Sequence, residues 1–517
     1  MSQPGFFSLR SIRVAAILFL FSAALSIRLY DLTDLPLDFH PTRQLLSAIK
    51  ARALYFETQP DGISTEKLET GIRQAKLKAQ VEPVVFEQLV AYTYRFTGEQ
   101  LWVARVYSSL FWLIGGIFLF VLVRDLASFE AAFFSTSYYL FFPYAVIASR
   151  SFQPDPLMVM LILGFWWIFS RWVDLTPGAS LRDASRSPER RGGLRGTALL
   201  AGLLGGLAIF IKFSAVFFVI GAALGLGLSR FTWRELLRNS QVWMMAIVGA
   251  LPALMYLIVG IFIDGGLGGQ FSGRFMPALL LNPFNYLQWM TKVDMSAGGL
   301  FIMLALLGFF LAADRRLRTF MFGLWGAYLL YGLFFDYHVA THDYYHLPLI
   351  PIVAVSLAPL GGWFFARLTE STVGRSQRSA AYIILILGLF MVVWNVRNQM
   401  KAVDYRPEAG MWAEIGELVR GTRVLALTEN YGSRLEYWGW HTANTWPSLG
   451  EMSHSQLRGG TIDSFDEMFE GYTGKRDLFL VTDFDELKAQ TQLRERLSSY
   501  HIYAEGEGYV IYDLRKP

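Results

Sequence analysis

The sequence predicts a polytopic α-helical membrane protein of about eleven spans, with amphipathic helices in its first outer loop and a small C-terminal α/β soluble domain. Three observations carry that prediction. Apolar residues make up 53% of the 517 residues and charged residues only 17%, and mean hydropathy is +0.35, values foreign to a soluble chain of this length. Apolar runs long enough to cross about 30 Å of hydrocarbon recur along the chain. The arginines between those runs gather in alternate loops.

The runs cover 12–29, 101–123, 127–148, 156–172, 196–211, 213–228, 242–263, 298–313, 320–335, 347–365 and 380–394. The first follows Arg10 and includes Arg13, as a signal peptide would. What comes after it is Arg28-Leu29-Tyr30-Asp31 rather than a small-residue cleavage site, which predicts a retained helix. With a cytoplasmic N-terminus, the inner loops hold Arg124; Arg182, Arg186, Arg190, Arg191 and Arg195; Arg230, Arg234 and Arg238; Arg315, Arg316 and Arg318; and Arg367, Arg375 and Arg378. Every cluster then obeys the positive-inside rule, and an error of one span would misplace half of them. The expected location is therefore the plasma (inner) membrane of a bacterium, with the C-terminal part extracytoplasmic.

This topology places loops 30–100, 149–155, 264–296 and 336–346, a tight turn at Lys212 and the tail on the outer face. Two modules follow: a membrane module over 1–398 and an extracytoplasmic α/β domain over 399–517. In the first loop, residues 42–55 and 83–96 have helical apolar spacing with polar residues opposite, as surface-lying amphipathic helices do. In the tail, 423–427 and 477–481 read as buried strands, 484–500 as a helix and 509–512 as a closing strand. Cysteine is absent, which excludes disulfides, thiolate metal sites and a cysteine nucleophile. The run Gly265-Gly266-Leu267-Gly268-Gly269 follows no strand, so it reads as a flexible flap rather than a nucleotide loop. No internal repeat supports an inverted-repeat transporter. The basic loops read as topology markers that touch anionic lipid, and no nucleic-acid partner is expected.

Chemistry-bearing residues collect in the outer loops. Asp38-Phe39-His40-Pro41 joins a carboxylate and an imidazole just beyond the first span. Asp38 is a candidate general base, with a helix N-cap before Pro41 as the structural alternative. Arg150 and Asp155 share the second outer turn, as an interfacial ion pair or as ligand groups. Lys212, at the hydrocarbon edge, either snorkels or meets a lipid-linked phosphate. The fourth loop holds His338, His342 and His346, three of the seven histidines, at i, i+4 and i+8. In a loop that spacing favours hydrogen bonding to phosphate or sugar over metal ligation. No metal site is assigned; a divalent metal at Asp38, His40 and His342 is the alternative. Arg105, a few residues into the second span, reads as an anchor or a buried pair. In the tail, Trp438, Trp440, His441 and Trp446 read as a core or membrane-edge patch, with a sugar-stacking cluster as the alternative.

In that order, these motifs resemble the polytopic C-type glycosyltransferases, specifically the superfamily of protein O-mannosyltransferases and aminoarabinose lipid A transferases. The resemblance covers about the first 365 residues. It rests on Leu37-Asp38-Phe39-His40 opening the first outer loop and on the amphipathic helix through Ala48, Ala51 and Arg52. The Pro-containing segment Glu82-Pro83 through Phe96-Thr97-Gly98-Glu99 and the arginine in Ala104-Arg105-Val106 follow. Next come the turn with Arg150 and Asp155, the Gly-rich span ending in Lys212, and Tyr345-His346-Leu347-Pro348 leading into a late helix. Many members carry Asp-Glu at the first motif, where this chain has Phe39. The resemblance implies a membrane glycosyltransferase that moves a hexosyl or pentosyl group from a polyprenyl-phosphate donor to a protein, lipid or glycan acceptor, inverting, with Asp38 as base. Substrate-binding roles then fall to His40, Arg43, Arg150, Asp155, Lys212, His342, Tyr345 and His346. A transporter or flippase of a lipid-linked or polar substrate is the alternative, as is a non-catalytic membrane scaffold presenting the tail.

Overall fold

The computed structural model describes residues 6–79, 82–176, 188–263, 265, 267–268, 274–370, 372–461 and 464–515. Arg182 and Arg186 of the basic loop, and Gly266 and Gly269 of the glycine run, lie outside the described residues. All of the expected apolar runs form helices. Among the described residues, seven of these helices are long and apolar enough to cross a membrane. They include α1 (Arg10–Arg28), α5 (Trp102–Leu126) and α8 (Asp155–Leu175).

The other runs are helical but interrupted, short or charged. Pro143 divides the third into α6 (Phe129–Phe141) and α7 (Pro143–Ala148), because its ring removes a donor and crowds the preceding turn. The sixth is the 14-residue α10 (Ala215–Leu228). The ninth lies in Arg315–Phe334, whose first turn carries Arg315, Arg316 and Arg318. The eighth, Gly299–Leu311, bends by 88° from an additional helix, Pro283–Ala297, at Gly298. Gly298 has φ +78°, a conformation only glycine adopts readily. Residues 283–297 fall in the expected third loop, where aromatic and polar residues mask helical periodicity.

The chain divides into two compact units. The first spans Met1–Leu32, Gln80–Phe86 and Trp102–Ala402 and holds the helical bundle. In it α8 packs on α5, on α9 (Pro188–Ile211) and on α10. Trp112 stacks flat on Tyr139 at 4.4 Å, locking α5 to α6. Small residues let α9 approach α12 (Ser240–Ile258): a Cβ on Gly206 would lie 2.7 Å from Gly249 Cα. Close backbone approach of this kind replaces the hydrophobic drive that lipid cannot supply.

The second unit comprises Thr33–Ala79, Glu87–Leu101 and Val403–Pro517, so most of the first outer loop clusters with the tail. The tail holds a five-stranded sheet in the order β2-β1-β3-β5-β4. Strand β1 (Val424–Leu427) runs parallel to β2 (Asn444–Thr445) and β3 (Leu478–Val481). Strand β5 (Tyr509–Asp513) runs antiparallel to β3 and to β4 (His501–Gly506). The two faces of β1 and β3 feed separate cores, one around Trp412 and Leu435, the other around Trp446 and Phe469. Strands β1 and β3 are buried on both faces, which explains their continuous apolar runs. The expected helix over 484–500 is two helices, Phe484–Ala489 and Thr491–Leu497, broken at Gln490. Gln490 donates to Pro447 O and Glu486 Oε1 and accepts from Trp446 Nε1, so its side chain serves the core rather than the helix.

Candidate functional site

In the first unit, polar side chains converge at one end of the bundle. Asp155 opens α8 and Lys212 closes α9. Both are buried, and Lys212 Nζ donates to Asp155 Oδ1 at 2.8 Å. A lysine in this setting requires a partner, and the helix N-terminus favours the carboxylate. Thus Asp155 pairs with Lys212 rather than with Arg150, correcting the pairing within the turn. Lys212 Nζ also lies over Tyr345 at 5.0 Å and Tyr344 at 5.2 Å from the ring centroids, a cation–π arrangement. Asp155 Oδ2 is buried without a hydrogen-bond partner among the described residues. The pair therefore keeps unspent acceptor capacity beside an ammonium held by aromatic rings.

The segment 336–346 folds as a short helix, Asp336–Thr341, a break at His342, and a 3₁₀ turn, Asp343–His346. The break rotates the three histidines off any common face. His338 and His342 remain neighbours, with rings 5.9 Å apart, and both pack on Tyr345, at 5.1 and 6.1 Å. His342 Nδ1 meets Thr341 Oγ1 at 2.7 Å. His346 is fully buried: Nδ1 meets Tyr328 Oη at 2.6 Å and Nε2 meets Val339 O at 2.8 Å. Both of its ring nitrogens are committed, so His346 is a strut beneath the site rather than a free ligand group. Burial moves the Asp336 carboxyl up from its usual range, against hydrogen bonds from the Tyr337 and Met276 amides.

Three buried arginines of the first unit, Arg28, Arg105 and Arg150, hold backbone carbonyls. Arg150 donates to Asp31 O at 2.9 Å and contacts Met400 Sδ at 2.9 Å. Arg105 donates to the same Asp31 carbonyl at 3.3 Å, the anchoring alternative of the sequence reading. Arg28, invisible as a site residue in sequence, donates to Ser149 Oγ, Ala24 O and Leu140 O. Gln153, in the turn before α8, is buried with neither side-chain polar atom bonded among the described residues. A buried amide left so is costly, and it makes Gln153 a ligand candidate that sequence reasoning missed.

In the second unit, Asp38 and His40 are half-buried. The N-cap of α2 (Pro41–Phe56) is His40, with φ +45° and no side-chain cap bond of its own. His40 packs edge-on against Phe39 at 4.6 Å. Gln44 Nε2 donates to Phe39 O at 2.6 Å, holding the motif against its helix. Arg43 is half-buried on the first turn of α2. Asp34 Oδ1 accepts from the Tyr405 amide at 3.0 Å. Burial, and next the charge of Asp38, raise the Tyr405 phenol above its ordinary value. Tyr405 is thus an electrostatic neighbour of Asp38 that no sequence motif marked. Thr42 Oγ1 donates to Asn430 Oδ1 at 2.9 Å, and Asn430 and Tyr431 both have positive φ.

Deeper in this unit, Arg52 donates to Glu99 at 2.7 Å and to Tyr437 O at 2.7 Å. Its guanidinium lies between Tyr437 and Trp440, 3.7 and 4.3 Å from their centroids. Burial alone would lower its pKa; Tyr437 and Glu99 outweigh that and raise it. Trp440 also stacks on Phe56 at 6.1 Å, while Trp446 is buried in the core. The four tail aromatics therefore do not form one sugar-stacking surface. Among the described residues, no group of three or more histidines and carboxylates is placed to hold a metal ion.

The family model for dolichyl-phosphate-mannose-protein mannosyltransferases matches residues 81–259. Comparison with curated protein sequences finds no match. Among solved structures, ArnT from Cupriavidus metallidurans in the apo state superposes with a TM-score of 0.56 at 14% identity, covering 96% of this chain and 98% of that one. The same protein bound to undecaprenyl phosphate gives 0.54 at 14% identity, covering 96% and 98%. The Archaeoglobus fulgidus oligosaccharyltransferase in the apo form gives 0.56 at 11% identity, covering 92% and 70%. The chain has the fold of the polytopic C-type glycosyltransferases. The resemblance therefore holds for the fold, over 96% of the chain, and for the sequence over 81–259, a stretch that excludes the Asp38 and Tyr345–Pro348 motifs.

Proposed function

We propose that this protein is a membrane glycosyltransferase that moves a hexosyl or pentosyl group from a polyprenyl-phosphate donor to an acceptor on the extracytoplasmic face. The observation that carries the reading is the mannosyltransferase family match over 81–259 within a chain of C-type fold. That the ArnT compared here was solved with undecaprenyl phosphate, and an archaeal relative with dolichol-phosphate, supports a lipid-phosphate carrier. Asp38 removes the proton from the acceptor hydroxyl. The acceptor oxygen bonds to the anomeric carbon as the carbon–phosphate oxygen bond breaks on the opposite face, so the configuration inverts and polyprenyl phosphate leaves. His40 and Arg43 orient the acceptor side. Lys212, with Arg150, His342 and Tyr345, meets the charge that develops on the leaving phosphate, Asp155 holds Lys212 in place, and His346 supports the segment.

The experiment is transfer from a panel of radiolabelled polyprenyl-phosphate sugars by purified protein, with peptide, lipid A and glycan acceptors. Label appearing in acceptor is the expected result. Donor that is neither bound nor turned over across the panel would overturn the reading. Transport of intact donor across a vesicle without transfer would replace it with the flippase.

A further inference from the structure

An apolar cavity of about 610 Å³ opens inside the helical bundle, walled by α8, α9, α10 and α12 and by α11 (Trp233–Arg238). Phe165, Gly205, Ile220, Leu224, Trp233 and Ala246 are among its walls. It follows α10 from Val216 to Leu228, about 18 Å at about 1.5 Å per residue. One leaflet of a bilayer core is about 15 Å deep, so the groove matches a single leaflet.

None of its lining residues is charged, but α11, which walls it through Trp233, Leu236 and Leu237, also carries basic residues. Helix α11 carries Arg234 and Arg238, both exposed and without an ion pair among the described residues. The neighbouring Arg230 is spent on Val173 O and Asp174 O, both at 3.1 Å. Glu235, the one acid on α11, caps the helix through the amide and hydroxyl of Thr232. Trp233 lines the cavity and lies under Arg234, 5.2 Å from ring centroid to guanidinium carbon. An apolar slot one leaflet deep, bordered by a helix that carries a lining tryptophan and two exposed arginines, is complementary to a single amphiphile with apolar chains and an anionic head.

We propose that this groove is a binding site for one anionic phospholipid of the leaflet at the arginine-bearing end, with an acyl chain along α10 and its phosphate at Arg234 and Arg238. The proposal does not depend on the transferase reading, because it uses none of the residues given a role there. It assigns these two arginines a ligand in addition to their bearing on topology.

The test is native mass spectrometry of the full-length protein released from nanodiscs of equimolar phosphatidylglycerol and phosphatidylcholine. One phosphatidylglycerol retained in preference to phosphatidylcholine is expected. Arg234→Ala with Arg238→Ala should cut that preference roughly fivefold per arginine. Ala246→Phe, which fills an exposed part of the wall, should abolish retention of both lipids. Melting temperatures of the variants confirm folding. Equal retention of the two lipids by the unaltered protein, an unchanged preference in the double variant, or retention that survives Ala246→Phe would each overturn the proposal. So would displacement of the retained lipid by polyprenyl phosphate but not by added phosphatidylglycerol.

Discussion

At the scale of residues, the Asp155–Lys212 pair shows how a site and a scaffold share groups. Removing one partner of a buried ion pair leaves a charge uncompensated, at about 3–5 kcal/mol, whereas replacing both with apolar groups is often tolerated. Lys212→Met should therefore lower the melting temperature more than Lys212→Met combined with Asp155→Leu, and both should lose donor binding. Thermal unfolding in one detergent checks the order, and equal losses would mean the pair carries no such coupling. His441 makes a second prediction. Its imidazole is half-buried and desolvation holds its pKa below the ordinary value, so the folded state disfavours the charged form. Stability conferred by neutral His441 is present above about pH 6.5 and is lost as pH falls from there towards the folded value. His441→Gln should flatten melting temperature between pH 7.5 and 5.5; an unchanged slope would assign the acid sensitivity elsewhere.

At the scale of elements, α9 and α12 approach through glycine. Gly206→Leu would drive a side chain into Gly249, whereas a Cβ on Gly196 meets nothing within 4 Å. Gly206→Leu should lower folded yield and melting temperature, and Gly196→Leu should leave both unchanged. Size-exclusion profiles of the two variants separate backbone crowding from simple apolar load. The elements that sequence exposed were those whose pattern is local. Residues 41–56 and 85–97 carry their helical period, and the runs at 424–427 and 478–481 are short and β-rich. The helix Thr65–Lys76 has a strongly polar surface, so it offered no apolar run to read. The strand His501–Gly506 is an edge strand, mostly exposed, and lacks the burial signature of its neighbours. The histidine spacing alone could not give their arrangement, because it counts residues while the break at His342 changes the helix type.

At the scale of the whole molecule, the arginine distribution predicts topology. The absence of cysteine makes that testable with single reporters. A membrane-impermeant maleimide applied to intact cells should label Ser453→Cys in the tail and leave Ser376→Cys, beside the basic residues at the start of Arg375–Met400, unlabelled until the cells are lysed. The reverse pattern would invert the orientation and remove the outer-face reaction with it. The ordered motifs made the fold legible from sequence, because each outer loop contributes short polar groups at the ends of unmistakable spans. The partners of those groups were not legible. Arg150 with Asp31, Lys212 with Asp155 and Tyr405 with Asp34 join residues far apart in the chain, and no periodicity encodes such contacts.

The proposed role of Asp38 is that of the base in a glycosyl transfer from a lipid-phosphate donor. The most direct measurement compares the unaltered protein with Asp38→Asn for transfer of radiolabelled sugar and, in the same preparation, for donor binding. Asp38→Asn should lower the transfer rate by about 10²–10⁴-fold, with donor affinity and melting temperature preserved. Transfer at the unaltered rate by folded Asp38→Asn would contradict it.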